Sequence, residues 1–136
     1  MLKLVNISKT FNPGTITEKR ALKNINLELK EGDFVTVIGG NGAGKSTLLN
    51  LIAGVHLSDT GSIQLDGTDI TMWKEHLRAK FLGRVFQDPM MGTAANMEIE
   101  ENLALAYRRG KKRTLGWGVT NEEKKLYKEL LASLDL

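Results

Sequence analysis

The chain has 136 residues, 41% of them hydrophobic, with 14 glycines and a net charge of +3, which is the make-up of one globular domain and excludes a largely disordered chain. It has no cysteine, which excludes disulfide scaffolds, zinc fingers, iron–sulfur sites and thiol nucleophiles and fits a reducing, intracellular setting. Nineteen basic residues against sixteen acidic ones are too even a balance to imply nucleic acid.

No stretch is apolar enough to read as a membrane span or a leader. Residues 48–55 form the longest apolar run, broken by Asn50 and far short of the roughly 18 residues a span needs. Residues 1–14 are interrupted by Asn6, Ser8, Lys9 and Asn12 and lack the apolar core of a signal peptide.

In chain order, residues 2–5 alternate weakly and predict a short strand, and residues 11–20 predict a polar connection turned at Asn12-Pro13-Gly14. Over residues 22–29, Leu22, Asn24, Asn26 and Glu28 interleave with Lys23, Ile25, Leu27 and Leu29. That alternation predicts an antiparallel strand with one wet face, closed by Glu31-Gly32-Asp33. Residues 34–38 differ, with Phe34, Val35, Val37 and Ile38 around a single Thr36. Such a run suits a strand covered on both faces, as in a parallel sheet. A glycine-rich segment follows, and residues 45–53 predict a helix stopped by Gly54.

Residues 62–65 predict a strand ending at Asp66-Gly67, residues 74–80 a short helix, and residues 82–86 another strand before Asp88-Pro89. Two helices are expected to follow. One has Asn96 as its cap, Glu98, Glu100 and Glu101 at the positive end of its dipole, and Ile99, Leu103, Ala106 and Tyr107 on one face. The other opens on the capping box Thr120-Asn121-Glu122-Glu123 and is expected to bury Leu126, Leu130, Leu131 and Leu134. The run Arg108-Arg109-Gly110-Lys111-Lys112-Arg113 reads as a solvated loop, and His56 and His76 as isolated surface residues.

Gly39-Gly40-Asn41-Gly42-Ala43-Gly44-Lys45-Ser46 fits G-x-x-x-x-G-K-[ST], the phosphate-binding loop known as Walker A. Glycines permit positive φ and close backbone approach, so several amide N–H groups can converge on phosphate oxygens. The following helix aims its positive end at the same anion. Lys45 would reach the β and γ phosphates, Ser46 would offer a hydroxyl to Mg²⁺, and Thr47 would bond a neighbouring phosphate. A chance match in a chain this long arises about once in 200 sequences. A buried-type strand before the loop and an apolar helix after it sharpen the assignment further.

Around this loop the sequence resembles the ATP-binding subunit of an ABC transporter over nearly its whole length. Residues 2–11 resemble that family's first strand and adenine-stacking loop. Residues 21–27 with Glu31-Gly32-Asp33 resemble its antiparallel β segment, and residues 48–54 and 59–63 follow the phosphate loop in the family's order. Val85-Phe86-Gln87-Asp88 resembles the glutamine loop (Q-loop), and residues 99–103 the start of the helical subdomain.

The resemblance implies an α/β fold: a P-loop NTPase core with an antiparallel β segment and the start of a helical subdomain. It divides the chain into a β-rich and P-loop core, residues 1–88, and the helical beginning, residues 89–136. Phe11 would stack on adenine where the family more often has tyrosine, and residues 15–20 lengthen that loop. Gln87 would join Ser46 at Mg²⁺, sense the attacking water and relay to a membrane subunit, while Asp88 reads as a turn residue.

The implied function is a cytoplasmic, membrane-peripheral ATPase that binds ATP and Mg²⁺ and couples hydrolysis to transport by a separate permease, with a capture protein for the solute. Two copies would sandwich two nucleotides head to tail. A soluble P-loop kinase or GTPase is disfavoured because no N-K-x-D base-reading motif is present, and a non-transport relative acting on ribosomes or DNA is the alternative within the family. The signature motif, the Walker B carboxylates and the switch histidine have no counterpart among these residues. The sequence therefore predicts nucleotide binding without turnover for the chain alone, and apolar surface laid bare beside the phosphate-loop strand.

Overall fold

In the computed structural model, residues 1–111 and 118–134 are described, and they divide into two units, Met1–Leu82 and Gly83–Leu136. The first unit is an antiparallel sheet with a helix packed on it. Its strands are β1 (Leu2–Phe11), β2 (Lys19–Leu29), β3 (Thr60–Leu65) and β4 (Thr68–Asp69), in the spatial order β2-β1-β3-β4. Helix α1 (Lys45–Ala53) covers one face, and the short helix α2 (Glu75–Arg78) follows β4.

β1 and β2 run well beyond their sequence-predicted ends, because the polar connection after Phe11 closes into a tight hairpin. Glu18 accepts from the Gly14 N–H at 2.8 Å, and the Thr15 hydroxyl donates to Asn12 O at 2.8 Å. The ladder then resumes at Phe11 opposite Lys19. Two asparagines with positive φ, Asn6 at 51° and Asn24 at 49°, sit where the β1–β2 register shifts. Each marks a bulge that adds a residue and reverses the in–out alternation. Leu22 therefore joins Ile25 and Leu27 on the core face, in place of the simple alternation the sequence suggests, while Asn24 and Asn26 turn outward. On that outer side Asn26 Oδ1 accepts from Asn6 N–H at 2.9 Å and Ser8 Oγ from Asn24 N–H at 3.0 Å, pairing the backbone groups the bulges release.

The core consists of Leu4, Ile7, Leu22, Leu48, Leu51, Ile63 and Ile70, flanked by Ile52 and Trp73. Full burial of one such aliphatic side chain contributes about 1.5–3 kcal/mol. Asp66 and Gly67, both at positive φ, form the tight turn that joins β3 to β4. Gly61 at φ 85° is required: a Cβ there would lie 2.3 Å from Val5 O.

Arg78, 1% exposed, fastens α1 to the segment after β4. Its guanidinium donates to Leu51 O at 2.8 Å and Ile52 O at 3.0 Å in the last turn of α1, to Thr71 O at 2.9 Å, and to Trp73 O at 2.7 Å. Burial lowers the Arg78 pKa from the usual arginine value, with the charge of Asp69 opposing. Four carbonyls satisfy this buried cation where a carboxylate ordinarily would.

Two expected strands do not form. Residues 34–38 and 82–86 join no ladder, and Phe34 is 94% exposed and Val85 97%. A parallel strand is held by neighbours reached through crossover connections, and the four described strands pair only with one another and antiparallel. The apolar surface expected beside the phosphate-loop segment is therefore present.

In the second unit a 3₁₀ turn, Pro89–Gly92, precedes α3 (Ile99–Tyr107) and α4 (Asn121–Ala132). The cap of α3 is Glu98 rather than Asn96: Glu101 returns its carboxylate to the Glu98 N–H at 2.9 Å, closing a capping box two residues later than the sequence suggests. Asn102 instead ties down the preceding turn, accepting from Ala94 N–H at 2.8 Å. The α4 box is as read, with Thr120 Oγ1 accepting from Glu123 N–H at 3.2 Å.

The buried face of α4 is centred on Tyr127, while Leu126, Leu130 and Leu134 are exposed; on α3 Ala104 is buried and Ile99, Ala106 and Tyr107 are exposed. The two aromatic rings set this contact, Tyr107 standing edge-on to Tyr127 at 6.3 Å. The basic run is exposed at Arg109 and Lys111, and Lys112 and Arg113 lie outside the described residues. Among the described residues no helix is long and apolar enough to cross a membrane.

Candidate functional site

The glycine-rich loop joins residues 34–38 to α1, and its shape follows from where glycine is needed. Gly44 is the N-cap of α1 at φ 87°, and a Cβ on it would stand 2.5 Å from Ala21 O and 2.9 Å from Leu22 Cδ2. The loop is thus seated directly on β2 at a position only glycine can fill. Gly42, at φ 81°, repeats the left-handed conformation two residues earlier, and Ala43 N–H closes a turn onto Gly40 O at 3.2 Å. Gly39 lies against Ala43, while a Cβ on Gly40 would meet nothing within 4 Å. Gly39, Gly40, Asn41, Gly42 and Ala43 are all exposed.

Lys45 opens α1 and folds back over the loop, its Nζ donating to Gly39 O at 2.6 Å and Gly40 O at 2.8 Å. Ser46 is exposed beside it and Thr47 half-buried. No carboxylate stands in the first turn of α1, so the free N–H groups and the positive end of the helix are not neutralised from within. The uncapped start of a helix, an ammonium and an exposed hydroxyl beside an open glycine surface suit a phosphate chain. Among the described residues no group of three or more His, Cys, Asp or Glu could hold a metal ion. Any Mg²⁺ here would take the Ser46 hydroxyl as one ligand and rely on phosphate oxygens for others.

Phe11 ends β1, half-buried, with the His56 ring edge-on at 5.2 Å and the Lys9 ammonium 5.7 Å from its centroid. His56, expected as an isolated surface residue, is therefore half-buried against the ring expected to meet a base. Asp59 secures the same corner, accepting from Lys9 Nζ at 2.7 Å and from Thr10 N–H at 2.6 Å. The Lys9 hydrogen bond, with the Thr10 N–H, holds the Asp59 carboxyl below the ordinary carboxylate range against the opposing effect of burial. Gln87 belongs to the second unit and is exposed. Its neighbour Asp88 accepts from Met90 N–H at 2.9 Å, so its carboxylate caps the 3₁₀ turn.

The spacing of the motif gave no sign of Lys19, the first residue of β2, whose Nζ lies 3.6 Å from a Cβ built on Gly42. Only the strand register reveals that neighbourhood.

Residues 22–136 match the family model for ABC transporter. The tyrosine transport ATP-binding protein of Clostridioides difficile is 45% identical over 116 residues, covering 82% of this chain and 44% of that protein. The energy-coupling factor transporter ATP-binding protein EcfA2 of Streptococcus pyogenes is 40% identical over 92 residues, covering 65% of this chain and 33% of its own length. Among solved structures, the dimeric bacterial ABC transporter cassette MJ0796 superposes with a TM-score of 0.79 at 30% identity, covering all of this chain and 58% of the cassette. The chain thus spans about half the length of the relatives it matches.

Proposed function

The chain belongs to the ABC transporter family, and from that membership we propose that it is the nucleotide-binding part of an energy-coupling ATPase that binds Mg-ATP. The observation that carries the reading is the Lys45 ammonium folded over an exposed glycine loop at the carboxylate-free N-terminus of α1. In this proposal the backbone of Gly39, Gly40, Asn41, Gly42, Ala43, Gly44, Lys45, Ser46 and Thr47 wraps the phosphates. Lys45 exchanges its two carbonyl partners for β- and γ-phosphate oxygens, and Phe11 presents its ring to adenine. Ser46 would offer its hydroxyl to Mg²⁺, which when bound would offset charge on the β and γ phosphates. In the second unit Gln87 would be the residue that senses the attacking water and relays to the membrane partner, and residues 89–136 begin the helical subdomain.

Hydrolysis and its coupling to a solute belong, on this reading, to a whole protein paired head to tail with a second copy at the cytoplasmic face of permease subunits. A solute-capture protein acts through the permease. MJ0796, a bacterial ABC transporter cassette, was solved as a dimer, which supports pairing with a second copy.

Calorimetric titration of the purified chain with Mg-ATP tests the site. Lys45→Ala should weaken ATP binding at least tenfold with an unchanged thermal midpoint, since it removes charge-assisted contacts and no core. Unchanged affinity in Lys45→Ala, or preference for GTP in competition, would overturn the assignment.

A further inference from the structure

We propose that Lys19 is a second ammonium on the nucleotide's polyphosphate, a binding residue supplied by β2 from outside the phosphate loop. This rests on the reading of the loop as an ATP site and adds to it a contact that the loop motif does not contain.

Three placements carry the inference. The Lys19 Nζ stands over Gly42, 3.6 Å from where a Cβ would be, and apart from Gly42 and its chain neighbours no other residue comes within 4 Å of that position. The ammonium therefore faces the open side of the loop's left-handed glycine. Lys19 is also the direct cross-strand partner of Phe11. One residue of the pair carries the ring proposed for the base and the other a cation at the loop proposed for the phosphates, so the β1–β2 hairpin spans the nucleotide from base to phosphate. Finally, Gly44 is pinned against Ala21 O and Leu22 Cδ2, which locks the start of β2 beside the loop and gives the Lys19 stem a fixed root.

The charge of Lys19 is not spent elsewhere. Among the described residues it forms no ion pair. The carboxylate next to it in sequence has another partner, Glu18 accepting from Gly14 N–H. With Lys45 reaching in from the helix, the loop is flanked by two ammoniums from different elements. A polyphosphate carries charge enough for both, whereas a neutral nucleoside offers neither cation a partner.

The test compares the parent chain, Lys19→Gln, Lys19→Arg and Lys45→Ala by calorimetric titration with ATP and by thermal unfolding. Lys19→Gln should weaken ATP about 3- to 10-fold at low salt, since the residue is solvent-exposed. The deficit should shrink in about 0.5 M salt, and Lys19→Arg should stay within about twofold of the parent. The thermal midpoint should not move. ATP affinity in Lys19→Gln equal to the parent, with Lys45→Ala impaired, would overturn the role of Lys19 and leave the ATP site standing. A deficit that salt does not alter would overturn the electrostatic role as well. A folded parent chain that binds no ATP would instead remove the underlying reading.

Discussion

Two parts of the first unit, the antiparallel layer and the apolar stretch 34–38, have opposite fates. In the antiparallel layer Leu4 and Ile63 are each 1% exposed, whereas in residues 34–38 Phe34 is 94% and Ile38 89% exposed. Aromatic and β-branched character does not decide between them, since the exposed stretch has the stronger strand propensity. What differs is where partners come from. β1 meets β2 through a hairpin, and β3 meets β1 once α1 has been traversed, so each strand of this layer finds its neighbours within the chain. A parallel strand at 34–38 draws its neighbours from crossovers, and this chain covers only 58% of the MJ0796 cassette it superposes on. The loop that follows is shaped from its other side, by α1 and by the contact of Gly44 with β2.

If the antiparallel layer holds α1 and the loop in place, its most demanding joint is Arg78. Removing it strands Leu51 O, Ile52 O, Thr71 O and Trp73 O and opens a cavity beside Gly54, whose Cβ position lies 2.9 Å from Arg78 Nε. Arg78→Ala should destabilise the chain by about 3–5 kcal/mol in urea unfolding. Arg78→Lys should recover only part, because an ammonium cannot serve four carbonyls arranged around a planar fork. A loss below about 1 kcal/mol would mean that the layer does not depend on this joint.

Much of this layer was legible in the sequence, for local reasons. Helix α1 spans the residues expected of it because an apolar stripe ends at Gly54, which adopts the left-handed cap at φ 83°. The Thr120 box and the Asp66-Gly67 turn were readable for the same reason: each is fixed by residues adjacent in sequence. The bulges at Asn6 and Asn24 escaped because asparagine tolerates positive φ without demanding it. Arg78 and Lys19 escaped because their partners lie far along the chain: Arg78 reaches back to α1, and Lys19 meets a glycine that only strand register brings near. Tyr127 took the place expected of the leucines on α4 because the contact with Tyr107 selects an aromatic, which periodicity alone does not specify.

A milder probe of the same layer is acid. Asp59, tied to Lys9 and the Thr10 N–H, has a folded pKa below its ordinary value of 3.8. A depressed carboxyl stabilises the fold fully above its unfolded pKa, and that contribution is lost as pH falls through the folded one. Stability should therefore be level near neutrality and decline below about pH 4. Asp59→Asn should cost about 0.5–1 kcal/mol at pH 7, a modest amount because the Asp59 side chain is 40% exposed and screened by solvent. The variant and the parent should converge in strong acid. A constant gap across the pH range would show that the carboxylate charge contributes nothing at this corner.

The smallest effect is expected at the other end of the comparison, in residues 34–38. Phe34, 94% exposed, has little burial to lose, so Phe34→Ser should shift urea stability by no more than about 0.5 kcal/mol. A phenylalanine buried in a sheet would lose about 3 kcal/mol or more on the same kind of truncation. Self-association should respond more than stability does, because Phe34 and Ile38 together leave apolar surface open to a second molecule. Light scattering of the parent and variant at matched concentration reads that difference, and Phe34→Ser should scatter less. A large stability loss with unchanged scattering would place residues 34–38 inside a sheet, and the contrast between the two stretches would collapse.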